Sequence, residues 1–223
     1  MKALTVGLIA SFYLVFNVQE QPVVISSQKE YQAVIKQYPE QILQEIVKEI
    51  PTIKLDIKYA TKDNFSGIAV YHQAKAYARK PVIDALRKIQ KELNQQGLGL
   101  KIFDAYRPYA VTVKFWKLTP IDKKDYVANP NKGSRHNRGC AVDLTIINLK
   151  TGVELKMPTP YDSFTKEAAA DYENIPPEEK KNRDFLINMM KQNGFNVIKS
   201  EWWHFDFKGW ENYPLMDIPF QKL

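Results

Sequence analysis

Three histidines occur in the 223-residue chain, and two of them, His136 and His204, lie near carboxylates in segments dense with glycine, tryptophan and polar side chains. Imidazole and carboxylate are the ligands that hydrolytic zinc sites use, with three protein ligands and a fourth position left to water. His136, Asp143 and His204 would supply one such set. The stretch between His136 and Asp143 suits a loop turning into a strand, with Gly139 allowing the bend. A His and an Asp seven residues apart are more often unrelated than paired, so spacing alone leaves both readings open. Glu201 precedes His204 by three residues. Strict strand alternation would put Trp202 and His204 on one face and Glu201 and Trp203 on the other, so Glu201 reaches the same ion only from an irregular strand start. Its alternative is a surface carboxylate. His72 has no carboxylate partner and reads as a packing or surface residue.

The elements that must position these groups follow from periodicity. Leu98, Leu100 and Ile102 alternate toward Asp104, predicting a strand that delivers Asp104 to Pro108 at its end. From Cys140 to Ile147 a second strand places Cys140, Val142, Leu144 and Ile146 on one face and Ala141, Asp143 and Thr145 on the other. Cys140 is therefore read as buried filler rather than a nucleophile. Val82, Ile83, Leu86, Ile89 and Leu93 form the apolar stripe of a helix from Pro81 to Gln96. Phe185, Leu186, Met189 and Met190 mark another that stops at Asn193 and Gly194, before strand-like segments 195–198 and 202–207. Ile42, Ile46 and Ile50, spaced by four, predict a helix ended by Pro51. Trp202, Trp203 and Trp210 are read as core before pocket wall. Mixed elements without regular alternation predict an α+β fold: a mostly antiparallel sheet flanked by helices, with the site at one face of the sheet.

Size and charge bound the rest. A core of ordinary dimensions accommodates residues 21–223 as one domain. The net charge of +7 is spread along the chain without the Lys/Arg stripe that nucleic-acid binding needs, so no nucleic-acid partner is expected. A single cysteine excludes an intramolecular disulfide. After Lys2 no charge occurs until Glu20, and residues 4–16 are largely apolar, so residues 1–20 read as a signal peptide or N-terminal anchor. The apolar run is shorter than the ~20 residues of a spanning helix. Export to the periplasm or cell envelope, with no stable membrane span after processing, is the expectation.

The segment Ser134 to Asp143 resembles the Ser-x-His-x-x-Gly-x-Ala-x-Asp signature of the D-alanyl-D-alanine dipeptidase family, and Glu201 to His204 resembles its second signature. Lys58 to Phe65 and Asp104 to Pro108 are similar to two further family segments, and the order matches. The likeness spans roughly Leu55 to Pro219. It implies one zinc ion per chain held by His136, Asp143 and His204, with Glu201 as general base and acid and Arg107 stabilising the transition state. It also implies that Tyr59, Ser134 and Asp162 line the pocket of a small D,D-dipeptide, Asp162 through the looser match of Met157 to Asp162. Arg135 and Cys140 occupy variable positions of the signature, and a cation beside His136 bears on substrate preference. The implied activity is hydrolysis of D-alanyl-D-alanine in cell-wall peptide turnover. The alternatives are a D,D- or L,D-carboxypeptidase acting on peptidoglycan stems, or a wall-binding module that keeps zinc only for folding.

Overall fold

A computed structural model describes residues 22–223 of the chain; the expected signal segment lies outside them. In chain order the elements are β1 (Val24–Ile25), α1 (Gln28–Gln37), β2 (Leu43–Glu45), α2 (Ile46–Glu49), β3 (Lys54–Leu55), β4 (Tyr77–Arg79), α3 (Lys80–Asn94), β5 (Leu98–Asp104), α4 (Tyr109–Leu118), β6 (Ala141–Asn148), α5 (Pro177–Gln192), β7 (Phe195–Ile198), β8 (Glu201–Phe207) and β9 (Leu215–Met216). Short 3-10 turns join several of them, including His136–Arg138 ahead of β6.

Five strands make the central sheet in the order β3-β5-β6-β8-β7. β5, β6, β8 and β7 are antiparallel neighbours, but edge strand β3 runs parallel to β5. The sheet is therefore mixed, which corrects the mostly antiparallel one expected. The parallel pair arises because the chain leaves β3 and returns through α3, the crossover that parallel neighbours require. Leu100, Ile102, Val142, Leu144, Ile146 and Phe205 are all buried in the apolar core. α3 packs on β5, and α5 on β7 and β8.

α3 starts with Pro81 in its first turn and buries Val82, Ile83, Leu86, Ile89 and Leu93, the expected stripe. α5 likewise opens on Pro177, with Glu178 and Glu179 at its positive end and Lys191 at its negative end, and gives way to Gly194 at φ 91°.

The expected helix through Ile42, Ile46 and Ile50 is not formed as one element. α1 lies earlier, nucleated by a capping box between Ser27 and Glu30. Pro39 opens a 3-10 turn, and Leu43–Glu45 pairs antiparallel with β4 before the single turn of α2. Strand pairing with Tyr77–Arg79 overrides the four-residue spacing, although Ile46 and Ile50 are still buried. Among the described residues no helix is long and apolar enough to cross a membrane.

Candidate metal and active site

Register brings the first two groups together. β6 and β8 pair Asp143 with His204 and Ala141 with Asp206, so these side chains share a face. Two irregularities then recruit residues that a flat sheet would turn away. Along β5, Ile102 pairs with Leu144 but Asp104 pairs with Asp143, leaving Phe103 as an extra residue; the bulge moves Asp104 onto the face of Asp143. Along β8, Val197 of β7 pairs with Phe205 and Ile198 with Glu201, so Trp202, Trp203 and His204 span a single step of the partner strand. Glu201, Trp203 and His204 consequently all line one cleft. The irregular strand start that Glu201 requires is present.

His136 comes from the turn before β6, which is laced to the end of β5. The Arg107 amide donates to the His136 carbonyl at 3.1 Å, and Asn137 Nδ2 donates to the Arg107 carbonyl at 2.8 Å. The His136 amide donates to Ser134 Oγ, and the Ser134 amide to Asn137 Oδ1. Gly139 ends the turn at φ 70°, a left-handed conformation in which a Cβ would also stand 2.5 Å from the Leu43 side chain. Buried Arg79 of β4 grips this turn from below: its amide donates to the Gly139 carbonyl, its Nε to the Arg138 carbonyl at 2.8 Å, and its Nη1 to the Gln41 carbonyl.

Protonation follows from the outer partners. His136 Nδ1 lies 2.7 Å from the Ala105 carbonyl and His204 Nε2 lies 2.9 Å from Asp206 Oδ1; both partners only accept, so both nitrogens carry the proton of the neutral ring. The inner nitrogens are left with lone pairs. His136 Nε2 and His204 Nδ1 stand 3.1 Å apart, and Asp143 Oδ1 lies 3.3 and 3.0 Å from them. Asp143 Oδ1 is buried without a hydrogen-bond donor. Three lone-pair atoms at this separation repel unless a cation sits among them, and ligands about 2.0–2.1 Å from a tetrahedral ion stand ~3.3 Å apart. The three residues fit a metal ion. Burial opposes charge on His204, yet without an ion Asp143 and Asp206 on either side hold its pKa well above that of ordinary imidazole, so a proton and a metal compete for the Nδ1 lone pair. Burial also opposes the Asp143 carboxylate, and the two imidazoles hold it well below the usual range.

Glu201 Oε2 lies 3.8 Å from His204 Nδ1, beside that convergence point. Burial, with the Asp143 charge adding to it and His204 and Arg107 opposing, lifts the Glu201 pKa to about 7. A carboxylate so poised can take a proton from water and give it up again. Arg107 is buried and doubly bonded to Asp104 Oδ2, at 2.9 Å through Nε and 2.8 Å through Nη2. Its guanidinium lies 5.2 and 5.0 Å from the rings of Tyr59 and Phe115. Tyr71 OH donates to the other Asp104 oxygen at 2.9 Å. Arg107 is thus in a structural ion pair and also faces the cleft.

Tyr59, Ser134 and Asp162 line the same cleft, which encloses about 210 Å³. Tyr59 OH donates to Asp162 Oδ1 at 2.9 Å, while Asp162 Oδ2 is buried without a partner. Burial first, and the Asp143 charge next, push the Asp162 pKa well above the usual carboxylate value. Asp162 is also the one non-glycine with positive φ among the described residues, at 61°. Phe65, Phe115, Tyr126 and Phe164 complete an aromatic wall in which Tyr126 stacks on Phe164 at 4.9 Å. His72 is exposed and away from the site, Cys140 is buried, and Trp202 and Trp203 are core residues, Trp203 also lining the cleft.

Sequence reasoning passed over Asp206, Tyr71 and Tyr161. Asp206 carried a signal, since it lies two residues beyond His204 on a strand and so on its face. Tyr71 and Tyr161 lie in irregular segments with no period to read.

Comparison with known proteins agrees with the geometry. A family profile described as D-ala-D-ala dipeptidase, peptidase M15, matches residues 41–221. The chain is 37% identical over 166 residues to the D-alanyl-D-alanine dipeptidase of Escherichia coli (strain K12), covering 74% of this chain and 84% of that protein. It is 32% identical over 186 residues to the one of Enterococcus faecalis, covering 75% and 88%. It is 33% identical over 174 residues to the one of Streptomyces coelicolor, covering 70% and 86%. The profile spans the segments that hold His136, Asp143, Glu201 and His204 in one cleft, and the chain belongs to the D-Ala-D-Ala dipeptidase family of M15 peptidases.

Proposed function

We propose that the protein is a zinc-dependent dipeptidase that hydrolyses D-alanyl-D-alanine to two D-alanines in cell-wall peptide turnover. The observation that carries this reading is the meeting of three lone-pair atoms, His136 Nε2, Asp143 Oδ1 and His204 Nδ1, within 3.0–3.3 Å of one another beside Glu201. The names of the relatives supply the substrate.

Zinc, when bound, supplies Lewis acidity and brings the pKa of a bound water toward about 7. Glu201 removes a proton from the attacking water and returns it to the departing amine, so no covalent intermediate is needed. Arg107, held in place by Asp104, faces the carbonyl oxygen as it gains charge. At the other end of the dipeptide, the unpartnered Asp162 Oδ2 takes the free ammonium, with Tyr59 fixing its sister oxygen. Ser134 lines the same cleft and contributes a hydroxyl to substrate binding. The cleft lies below the ~300 Å³ typical of drug-sized ligand sites, which favours a dipeptide over a peptidoglycan stem.

The test is release of D-alanine by purified, zinc-loaded protein from D-Ala-D-Ala, beside L,D-, D,L- and L,L-dipeptides and a stem pentapeptide. Selective cleavage of the D,D-dipeptide is expected. Good turnover of other dipeptides with none of D-Ala-D-Ala would sink the substrate, and faster cleavage of the pentapeptide would favour the carboxypeptidase. The apolar run at residues 4–16 supports export of the protein; mass measurement of the protein recovered from the cell envelope tests it.

A further inference from the structure

Tyr161 has no part in the motifs or in the steps above, yet it touches the metal carboxylate. Its hydroxyl donates to Asp143 Oδ2 at 3.0 Å, while Oδ1 of the same carboxylate faces the two imidazole nitrogens. The ring is fixed from two sides. It stacks on Phe103 at 4.6 Å and 24°, and meets Trp203 edge-on at 5.5 Å. Phe103 is the extra residue of the β5 bulge, so the feature that carries Asp104 into the site also provides the surface on which Tyr161 rests.

The backbone conformation of the next residue has the same sense. Successive side chains of an extended chain point to opposite sides. The left-handed turn at Asp162, φ 61°, accompanies an arrangement in which Tyr161 reaches Asp143 and Asp162 reaches Tyr59 within one cleft. Without the Tyr161 hydroxyl, the cation nearest to Asp143 Oδ2 would be Arg107 Nη2, 3.9 Å away.

We propose that Tyr161 is a positioning residue that pins the outer oxygen of Asp143, so that the carboxylate presents a single oxygen to the metal and does not draw Arg107 from the substrate. The inference rests on the zinc site proposed above. Partners of this kind orient a ligand, and their loss weakens metal binding by about 10–100-fold.

The experiment measures zinc affinity by competition with a chromophoric chelator, together with the visible spectrum of the cobalt(II) form. It uses the full-length protein and its Tyr161→Phe, Asp143→Ala and doubly substituted variants. Tyr161→Phe keeps the ring on Phe103, so the metal-free protein should stay folded and melt cooperatively, its midpoint lowered only by loss of the one hydrogen bond to Asp143. Its zinc affinity should fall about 10–100-fold, and its cobalt bands should shift and weaken as Asp143 turns to two-oxygen coordination. In the Asp143→Ala background the same change should cost nothing further.

Unchanged affinity with a superposable cobalt spectrum would overturn the proposal, as would an equal loss in the Asp143→Ala background. Phe103→Leu, which loosens the stack and keeps the hydroxyl, should weaken zinc less than Tyr161→Phe; the reverse order would mean that packing holds Asp143 and would also overturn it. If the unsubstituted protein takes up no stoichiometric zinc, or His204→Ala binds it equally well, the metal site itself fails and this inference with it. Tight binding that Tyr161→Phe leaves intact sinks the inference alone.

Discussion

Where the cleft is lined by His136, Asp143, His204 and Arg107, every group is held by strand register or by hydrogen bonds to backbone and carboxylate. Where it is lined by Asp125, Tyr126, Val127, Ala128 and Phe164, the chain is irregular or 3-10 and is tied by ring stacking, with Asp125 exposed. The first lining ties each reacting group to a defined partner, as the orientation needed for bond making demands. The second sets a shape, which a change of side chain can adjust. Chemistry and selectivity are therefore separable in this molecule, and substitutions in the two linings should report on different quantities.

The sharpest break is at Glu201. Glu201→Ala should retain zinc, measured by metal analysis, and lose ~10²–10⁴-fold in kcat. Arg107→Ala should follow, with a loss of about 10²–10³-fold in kcat and little change in metal content. Arg107→Lys should restore only part of that, because a lysine cannot reproduce the two-bond grip on Asp104.

A third test uses pH on the metal-free protein. Burial raises Glu201 to about 7 in the folded chain against an ordinary value of 4.5. The folded state therefore favours the protonated acid. Ionisation destabilises it as pH rises from 4.5 to about 7, with the full penalty above that range and none below it. Glu201→Gln should stabilise the metal-free protein by up to about 3 kcal/mol at pH 8 and leave it unchanged near pH 4, read by denaturant melts. Smallest is the effect in the aromatic lining. Phe164→Ala removes the stack on Tyr126, worth ~0.5–1.5 kcal/mol. It should lower kcat/KM for the dipeptide by about 10-fold or less while raising it for a longer peptide. An equal fall for both would erase the distinction between the two linings.

The same contrast explains what could be read in the sequence. Periodicity located α3, β5, β6 and α5, because long amphipathic elements repeat their signal; β3, two residues long, has no period to reveal its direction, and so the mixed sheet was hidden. Ile42, Ile46 and Ile50 misled because pairing with β4 outweighs local spacing. His136, Asp143 and His204 stood out by residue type and motif. That Glu201 and His204 face one way depends on three residues of β8 facing one step of β7, a bulge that alternation can demand but not locate. The resemblance pointed to Asp162, but its left-handed backbone and the part played by Tyr161 were invisible, since both arise from long-range contacts with Asp143 and Tyr59.

Arg79 adds a consequence for assembly of the molecule. Because one buried guanidinium and its own amide hold the carbonyls of Gln41, Arg138 and Gly139, the loop that offers His136 docks on the two-stranded sheet of β2 and β4 as well as on the central sheet. Capture of an ion and folding of that small sheet are then linked equilibria, each strengthening the other. A truncation that strips Leu43–Glu45 would unseat a ligand far downstream in the chain, so the front of the protein serves as a latch for chemistry encoded at its middle and end.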